Sequence, residues 1–165
     1  TEKGSEIPET QLLAKKPVIY LLNADPKEIS QELLQKIKGV VVVANLRDEL
    51  EMQLLSNEER KEFGFTSQLT ELIKKAYEVL NLITFFTTGA DETRAWTIEK
   101  GMMAPQAGGV IHSDFEKTFI RADVIPWGTL LEAGGYVQAY EKGLVRTEGK
   151  EYVVQDGDVI EIKHG

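Results

Sequence analysis

Two short, unbroken apolar runs, PVIYLL over residues 17–22 and VVVVA over residues 40–44, constrain this chain more than any other feature. Continuous β-rich runs of this length are what strands buried on both faces look like. Between them Ile29, Leu33 and Ile37 recur every fourth residue and the stretch closes at Gly39, which predicts a helix with one apolar face. Asp25 suits its N-cap, Pro26 its first position and Glu28 its third. Strand, helix and strand in such quick succession make a right-handed βαβ crossover within a parallel sheet. Ligands of such sheets sit beyond the carboxyl ends of the strands.

Downstream, Ser56-Asn57-Glu58-Glu59 is a capping box for a short helix, and Leu69, Leu72, Ile73, Ala76 and Leu80 trace the stripe of a longer one. The pattern then changes from helical to alternating, placing a boundary near Asn81. ITFFTT at 83–88, a turn at Gly89-Ala90-Asp91 and an extended segment through 95–98 predict a hairpin. Ser113-Asp114-Phe115-Glu116 reads as a second capping box, and residues 120–125 as a strand stopped by Pro126. Near the end, YVVQ and DVIEIK flank Asp156-Gly157, a strong hairpin signal. These elements predict an α/β first part followed by an α+β second part, a mixed sheet with a helix on one face, compatible with a β-grasp. Thr1 to Glu9 are polar and aperiodic, a loose lead-in.

Charge narrows the function classes. The net charge is −8 and both portions of the chain are acidic, which argues against a broadly basic protein that grips nucleic acid by neutralising phosphates. With no cysteine there is no disulfide or thiolate zinc site, and two histidines make a His-rich metal site unsuited. No apolar stretch is long enough for a membrane-spanning helix and no basic-then-apolar leader opens the sequence, so the expected location is cytoplasmic.

Several clusters invite functional readings and each has a plainer one beside it. Asn23 and Asp25 suit a purine edge, or equally a strand end and a helix start. His112, Asp114 and Glu116 resemble an acid–base or metal cluster, but capping accounts for the pattern apart from His112. No catalytic and no metal-binding residue is assigned. Gly108-Gly109 lacks the lysine of a phosphate cradle and reads as a tight bend. Trp96 and Trp127 suit base stacking or a small core. Arg94, Lys100, Lys117 and Arg121 are candidates for a local RNA or partner contact, diluted by Glu92, Glu99 and Glu116.

The segments TRAWTIEKG, APQAGGVIHSDFEKTFIRADVI and GKEYVVQDGDVIEIK resemble the TGS domain of the YchF/Obg-like ATPases, over roughly residues 82–165. The resemblance implies a ubiquitin-like β-grasp there. It also implies that residues 17–81 are the C-terminal part of a nucleotide-binding domain and that residues 1–16 are the remnant of a helical insertion. KPVIYLLN resembles the strand carrying the family's base-recognition motif, which places Asn23 at its asparagine. The fourth motif position is Pro26 rather than a carboxylate, Asp25 stands one residue early, and Asn45-Leu46-Arg47 occupies the next base loop without its signature. Asn23, Asp25 and Asn45 are thus the implied base-binding residues. The intact family protein binds ATP or GTP with Mg.

The sequence contains no G-x-x-x-x-G-K-[ST] loop, whose backbone N–H groups and lysine hold phosphates. The expectation is therefore an inactive chain with no tightly bound cofactor, acting as a regulatory module that contacts a ribosome or another RNA-containing partner. Two rivals stand beside it: a part of an ATPase unit in which Asn23 completes a base pocket, and a ubiquitin-like scaffold that binds only proteins. A homodimer through the exposed edge of the first sheet is compatible with each.

Overall fold

A computed structural model describes residues 16–89 and 92–165, and the chain divides after Leu80 into two compact units. The predicted lead-in, apart from Lys16, and the turn residues Ala90 and Asp91 lie outside the described residues.

In the first unit β1 (Ile19–Asn23) and β2 (Val40–Ala44) pair in parallel, with Ile19 opposite Val40 and Asn23 opposite Ala44. The connecting helix α1 (Gln31–Lys36) starts later than its sequence suggests. Ser30 is its N-cap, accepting the Leu33 N–H, whereas Asp25 Oδ1 accepts the Lys27 N–H at 2.9 Å in a local turn. An Asx turn satisfies Asp25 without a helix, and five residues intervene before the first helical one. Leu34, not Leu33, turns inward with Ile29 and Ile37, since the later start rotates the face.

β1 is also more open than its composition implies: Val18, Tyr20 and Leu21 are exposed. Among the described strands it is hydrogen-bonded to β2, and α4 (Leu69–Val79) packs on this two-stranded sheet. An apolar run can match a strand buried on both faces while only one face is covered. In α4 the inward face is Leu69, Leu72, Ala76 and Val79, while Ile73 and Leu80 point outward.

Two further helices of this unit lie between β2 and α4. The Asn45-Leu46-Arg47 segment, expected as a loop, opens α2 (Leu46–Gln53). Asn45 is the N-cap, its Oδ1 accepting the N–H groups of Arg47 and Asp48 at 3.1 and 3.3 Å. α3 (Asn57–Glu62) has the predicted capping box, with Ser56 and Glu59 bonded reciprocally.

The second unit contains β3 (Leu82–Thr88), β4 (Thr93–Glu99), β5 (Phe119–Pro126), β6 (Arg146–Glu148) and β7 (Asp158–His164) in one sheet of order β4-β3-β7-β5-β6. β3 and β7 run parallel and the other neighbours antiparallel. Numbered within the unit this order is 2-1-5-3-4, with first and last strands side by side at the centre, which is the β-grasp.

Helices lie on both faces rather than one. On the first face Phe85, Ile98, Val124 and Ile160 pack with Ala104 and Ala107 of α5 (Ala104–Ile111). On the second, Phe86, Ile125 and Val159 meet Leu130 and Ala133 of α7 (Trp127–Ala133) and Ala139 of α8 (Tyr136–Glu141). The last two helices are short because Gly134 and Gly135, at φ +92° and +129°, break the chain between them.

Three local readings change. Asp156-Gly157 does not fold residues 152–155 back onto β7: Val153 bridges to Met103, while Asp156 Oδ1 accepts the Thr84 N–H at 2.8 Å and Gly157 donates to the Thr84 carbonyl. The turn is thus anchored on β3, and β7 continues into the sheet centre. Ser113 is the first residue of α6 (Ser113–Lys117), not its cap. His112 is the cap, its Nδ1 accepting the Asp114 N–H at 3.3 Å, which explains the one residue of that cluster capping had left over. Gly108 and Gly109 lie inside α5, where the absence of side chains lets α6 approach.

Candidate functional site

The first unit carries a cleft at the carboxyl ends of its two parallel strands, where the crossover topology places ligands. The two strand ends are tied together: Asn23 Oδ1 accepts the Leu46 N–H at 3.1 Å, and the Ala24 N–H reaches the Ala44 carbonyl. Asp25 and Asn45 both line a hollow of about 420 Å³, together with Lys27, Asp48 and the Phe63–Gln68 segment. That volume lies in the range of small-molecule sites. Asn23 stands beside the hollow without lining it, its amide oxygen bridging to α2.

The polar groups are largely committed to one another. Asn45 spends Oδ1 on the α2 N–H groups and donates Nδ2 to Asp48 at 2.8 Å. Met52, Phe63 and Phe65 supply the apolar wall. Asp25 and Asp48 outnumber Lys27 in the lining, so the hollow suits a flat, neutral, amphipathic group far better than a phosphate. No group of three His, Cys, Asp or Glu side chains suited to a metal occurs among the described residues.

Glu49, on α2, is the buried charge at this site. It borders this hollow and a neighbouring one of about 310 Å³ that also contains Arg60. Its carboxylate accepts the Ser67 hydroxyl at 2.7 Å and the Gln68 N–H. Gln68, the N-cap of α4, has no side-chain cap of its own, so Glu49 supplies an anion to that helix start from a different helix. Nothing in the sequence marks Glu49; the Asn45-to-Asp48 spacing was a legible helix start.

In the second unit the four candidate basic residues are not brought together. Register places Arg94 on the face of Phe85 and Trp96, and Arg121 on the opposite face with Ile125 and Val159. Three strand steps also separate β4 from β5. The Arg94 guanidinium lies 4.5 Å from the Trp96 ring centroid, and the Trp96 indole N–H donates to Thr87. Lys100 follows β4, its N–H bonded to the Asn81 carbonyl, and Lys117 sits in the last turn of α6. Trp127 is 55% exposed.

A family model described as YchF-GTPase_C, "Protein of unknown function (DUF933)", matches residues 82–165, the whole of the β-grasp. The chain belongs to the YchF family. Among curated YchF relatives it is 42% identical over 178 residues to the ribosome-binding ATPase YchF of Bacillus subtilis, covering 98% of this chain and 49% of that protein. It is 40% identical to Obg-like ATPase 1 of Caenorhabditis elegans, covering 98% and 45%. The solved Schizosaccharomyces pombe YchF GTPase superposes with a TM-score of 0.76 at 35% identity, over 90% of this chain and 43% of that one. The chain thus spans about half the length of the YchF relatives it matches. Its fold is that of the YchF structure: an α/β sheet remnant followed by a TGS-like β-grasp. No helix among the described residues is long and apolar enough to cross a membrane.

Proposed function

We propose that this chain is the contact portion of a YchF-type ATPase, in which the β-grasp engages the ribosome and no hydrolysis occurs without further residues that hold phosphate. The observation that carries this reading is the contrast between the two units. The β-grasp has a closed strand order and apolar cores on both faces of its sheet, whereas the α/β unit has two strands among the described residues, one of them largely exposed, and its sequence lacks a phosphate-binding loop. Several relatives are named ribosome-binding ATPases, which supports the ribosome as partner. A cytoplasmic location accords with that partner.

A second reading is favoured by the cleft at the strand ends: Asp25 and Asn45 line one side of a base pocket for ATP or GTP, Asn23 holds the strand end to α2 beside it, and Mg and the phosphates are held by residues outside this chain. The hollow's size and apolar wall suit a purine, and its carboxylates disfavour a phosphate in the same place. One experiment separates the readings: titration with labelled ATP and GTP alongside ribosome sedimentation at moderate salt. Sedimentation without nucleotide binding supports the contact module. Micromolar nucleotide binding that Asn23→Ala abolishes supports the pocket, and absence of sedimentation overturns the ribosome reading.

A further inference from the structure

Phe63 is a large aromatic side chain left 69% exposed at the hollow beyond the strand ends, yet its backbone is firmly held. It is the C-cap of α3, Gly64 follows at φ +63°, and the N–H groups of Gly64 and Phe65 reach back to the carbonyls of Lys61 and Arg60, each at 3.0 Å. The helix is itself tied to the end of α2, because the Arg60 guanidinium donates to the Met52 and Gln53 carbonyls at 2.6 and 3.0 Å. Past Phe65, the Glu49 carboxylate holds the Ser67 hydroxyl and the Gln68 N–H. The segment carrying Phe63 and Phe65 is therefore pinned at both ends, and its rings are positioned before any ligand arrives.

The polar lining determines what kind of ring this wall suits. Asp25 Oδ1 accepts the Lys27 N–H and Asp48 Oδ2 accepts the Asn45 amide, which leaves the second oxygen of each carboxylate without a donor among the described residues. An ionised carboxylate accepts hydrogen bonds and never donates them. The amide donors close by are committed, Asn45 Nδ2 to Asp48 and Gln68 Nε2 to the Thr66 carbonyl, so apart from the Lys27 ammonium the side chains of the hollow offer acceptors. A ligand that completes it brings a flat face to Phe63 and N–H groups to the carboxylates. An aminopurine has both.

We propose that Phe63 is the stacking face for the base in this pocket, and that the open carboxylate oxygens of Asp25 and Asp48 accept the exocyclic amino group of the same ring. This deepens the base-pocket reading and rests on it. Stacking on an aromatic side chain tolerates any base, because every base has a π-face, so Phe63 supplies affinity and the carboxylates supply the requirement for an amino group.

The test titrates the whole chain with adenosine and guanosine, probes that lack the phosphates, and follows the ligand by NMR. Adenosine or guanosine is expected to bind, with its H8 resonance moved upfield by the phenyl ring. Phe63→Leu keeps apolar bulk and loses the ring; it is expected to abolish that shift and weaken binding at least about fivefold, whereas Phe63→Trp stays within about twofold. Purine riboside and inosine, which lack the amino groups of adenosine and guanosine, are expected to bind at least about fivefold more weakly than their parents. Ile73→Ala, which removes another exposed apolar side chain of this unit, is expected to change neither shift nor affinity. Retained thermal unfolding curves show that the variants fold, as expected for a side chain so little buried. A nucleoside that binds Phe63→Leu as tightly as the original chain overturns the stacking role and leaves the base-pocket reading standing. Equal binding of the amino-free analogues overturns the role of Asp25 and Asp48. Failure of both adenosine and guanosine to bind overturns the base-pocket reading itself, and the inference with it.

Discussion

The α-carbon of Gly157 closely approaches the indole of Trp127: a Cβ built there would stand 2.7 Å from Cδ1 and 3.0 Å from Nε1. Gly157 also has φ +83°, a left-handed backbone region that favours glycine. Gly157→Ala is therefore expected to destabilise the β-grasp by about 1–3 kcal/mol, the range for a strained positive φ. The indole, half exposed, is expected to swing outward. A urea titration followed by tryptophan emission measures both effects, and an unchanged midpoint contradicts the close approach.

Glu49 predicts a cost in the other unit. Glu49→Ala removes the acceptor of the Ser67 hydroxyl and the Gln68 N–H and leaves a buried space, for an expected loss of about 2–3 kcal/mol. Glu49→Gln keeps an acceptor oxygen and is expected to lose less than half of that. Far-ultraviolet circular dichroism on heating distinguishes the two, with the helical signal of α4 melting earlier in the alanine variant.

The neighbouring glycines of α5 are expected to respond with opposite signs. A Cβ at Gly108 meets Phe115 and Ile162 no closer than 3.4 Å, ordinary contact, so Gly108→Ala is expected to be neutral or stabilising by up to about 1 kcal/mol through helix propensity. At Gly109 it stands 2.9 Å from Glu116 Oε2 and 3.2 Å from Glu116 Cβ, forcing α6 away, and Gly109→Ala is expected to destabilise. Chemical denaturation of the pair tests the ordering, and equal midpoints refute it.

Tyr152 predicts an alkaline limit to stability. Burial, followed by the hydrogen bond its hydroxyl donates to Asp158 at 2.7 Å, pushes its phenol up from the usual value of 10 to about 12. A raised folded-state value means the folded chain holds this proton more tightly. The stabilisation is complete below pH 10 and disappears as pH rises through about 12. Absorbance at 295 nm is expected to show a late titration step, shared with Tyr136 and Tyr140, whose phenols burial also pushes up to about 12, and Tyr152→Phe is expected to lower that step without abolishing it. Should that variant keep the full step, Tyr152 is not one of its sources.

Much of this architecture was legible because local chemistry and global fold agreed. The β1–β2 crossover, the Ser56–Glu59 box and the β3–β4 hairpin each have the residues their conformations demand. The readings that failed did so where a residue has two satisfactory local uses. Asp25 serves an Asx turn as well as a helix cap, and Asp156-Gly157 fits an anchored turn as well as a hairpin. His112 accepts an N–H as a serine would, which residue type alone does not announce. At the cleft, the family resemblance pointed to Asn23, Asp25 and Asn45, of which Asp25 and Asn45 line the hollow, but Glu49 and Phe63 reach it through the packing of helices that no single window of sequence encodes. The helices on the second face of the sheet were missed because α7 and α8 are too short to show a full apolar period.

The side-by-side placement of β3 and β7 makes the β-grasp a structure that is finished from the middle. Its first and last strands are neighbours, and β7 also carries the whole of β5 on its other side. During synthesis the hairpin of β3 and β4 must wait, with its inner edge bare, until the residues after Gly157 leave the ribosome. A chain broken just before Asp158 therefore loses the keystone rather than a border, and the rest of the β-grasp is left as two halves with nothing between them.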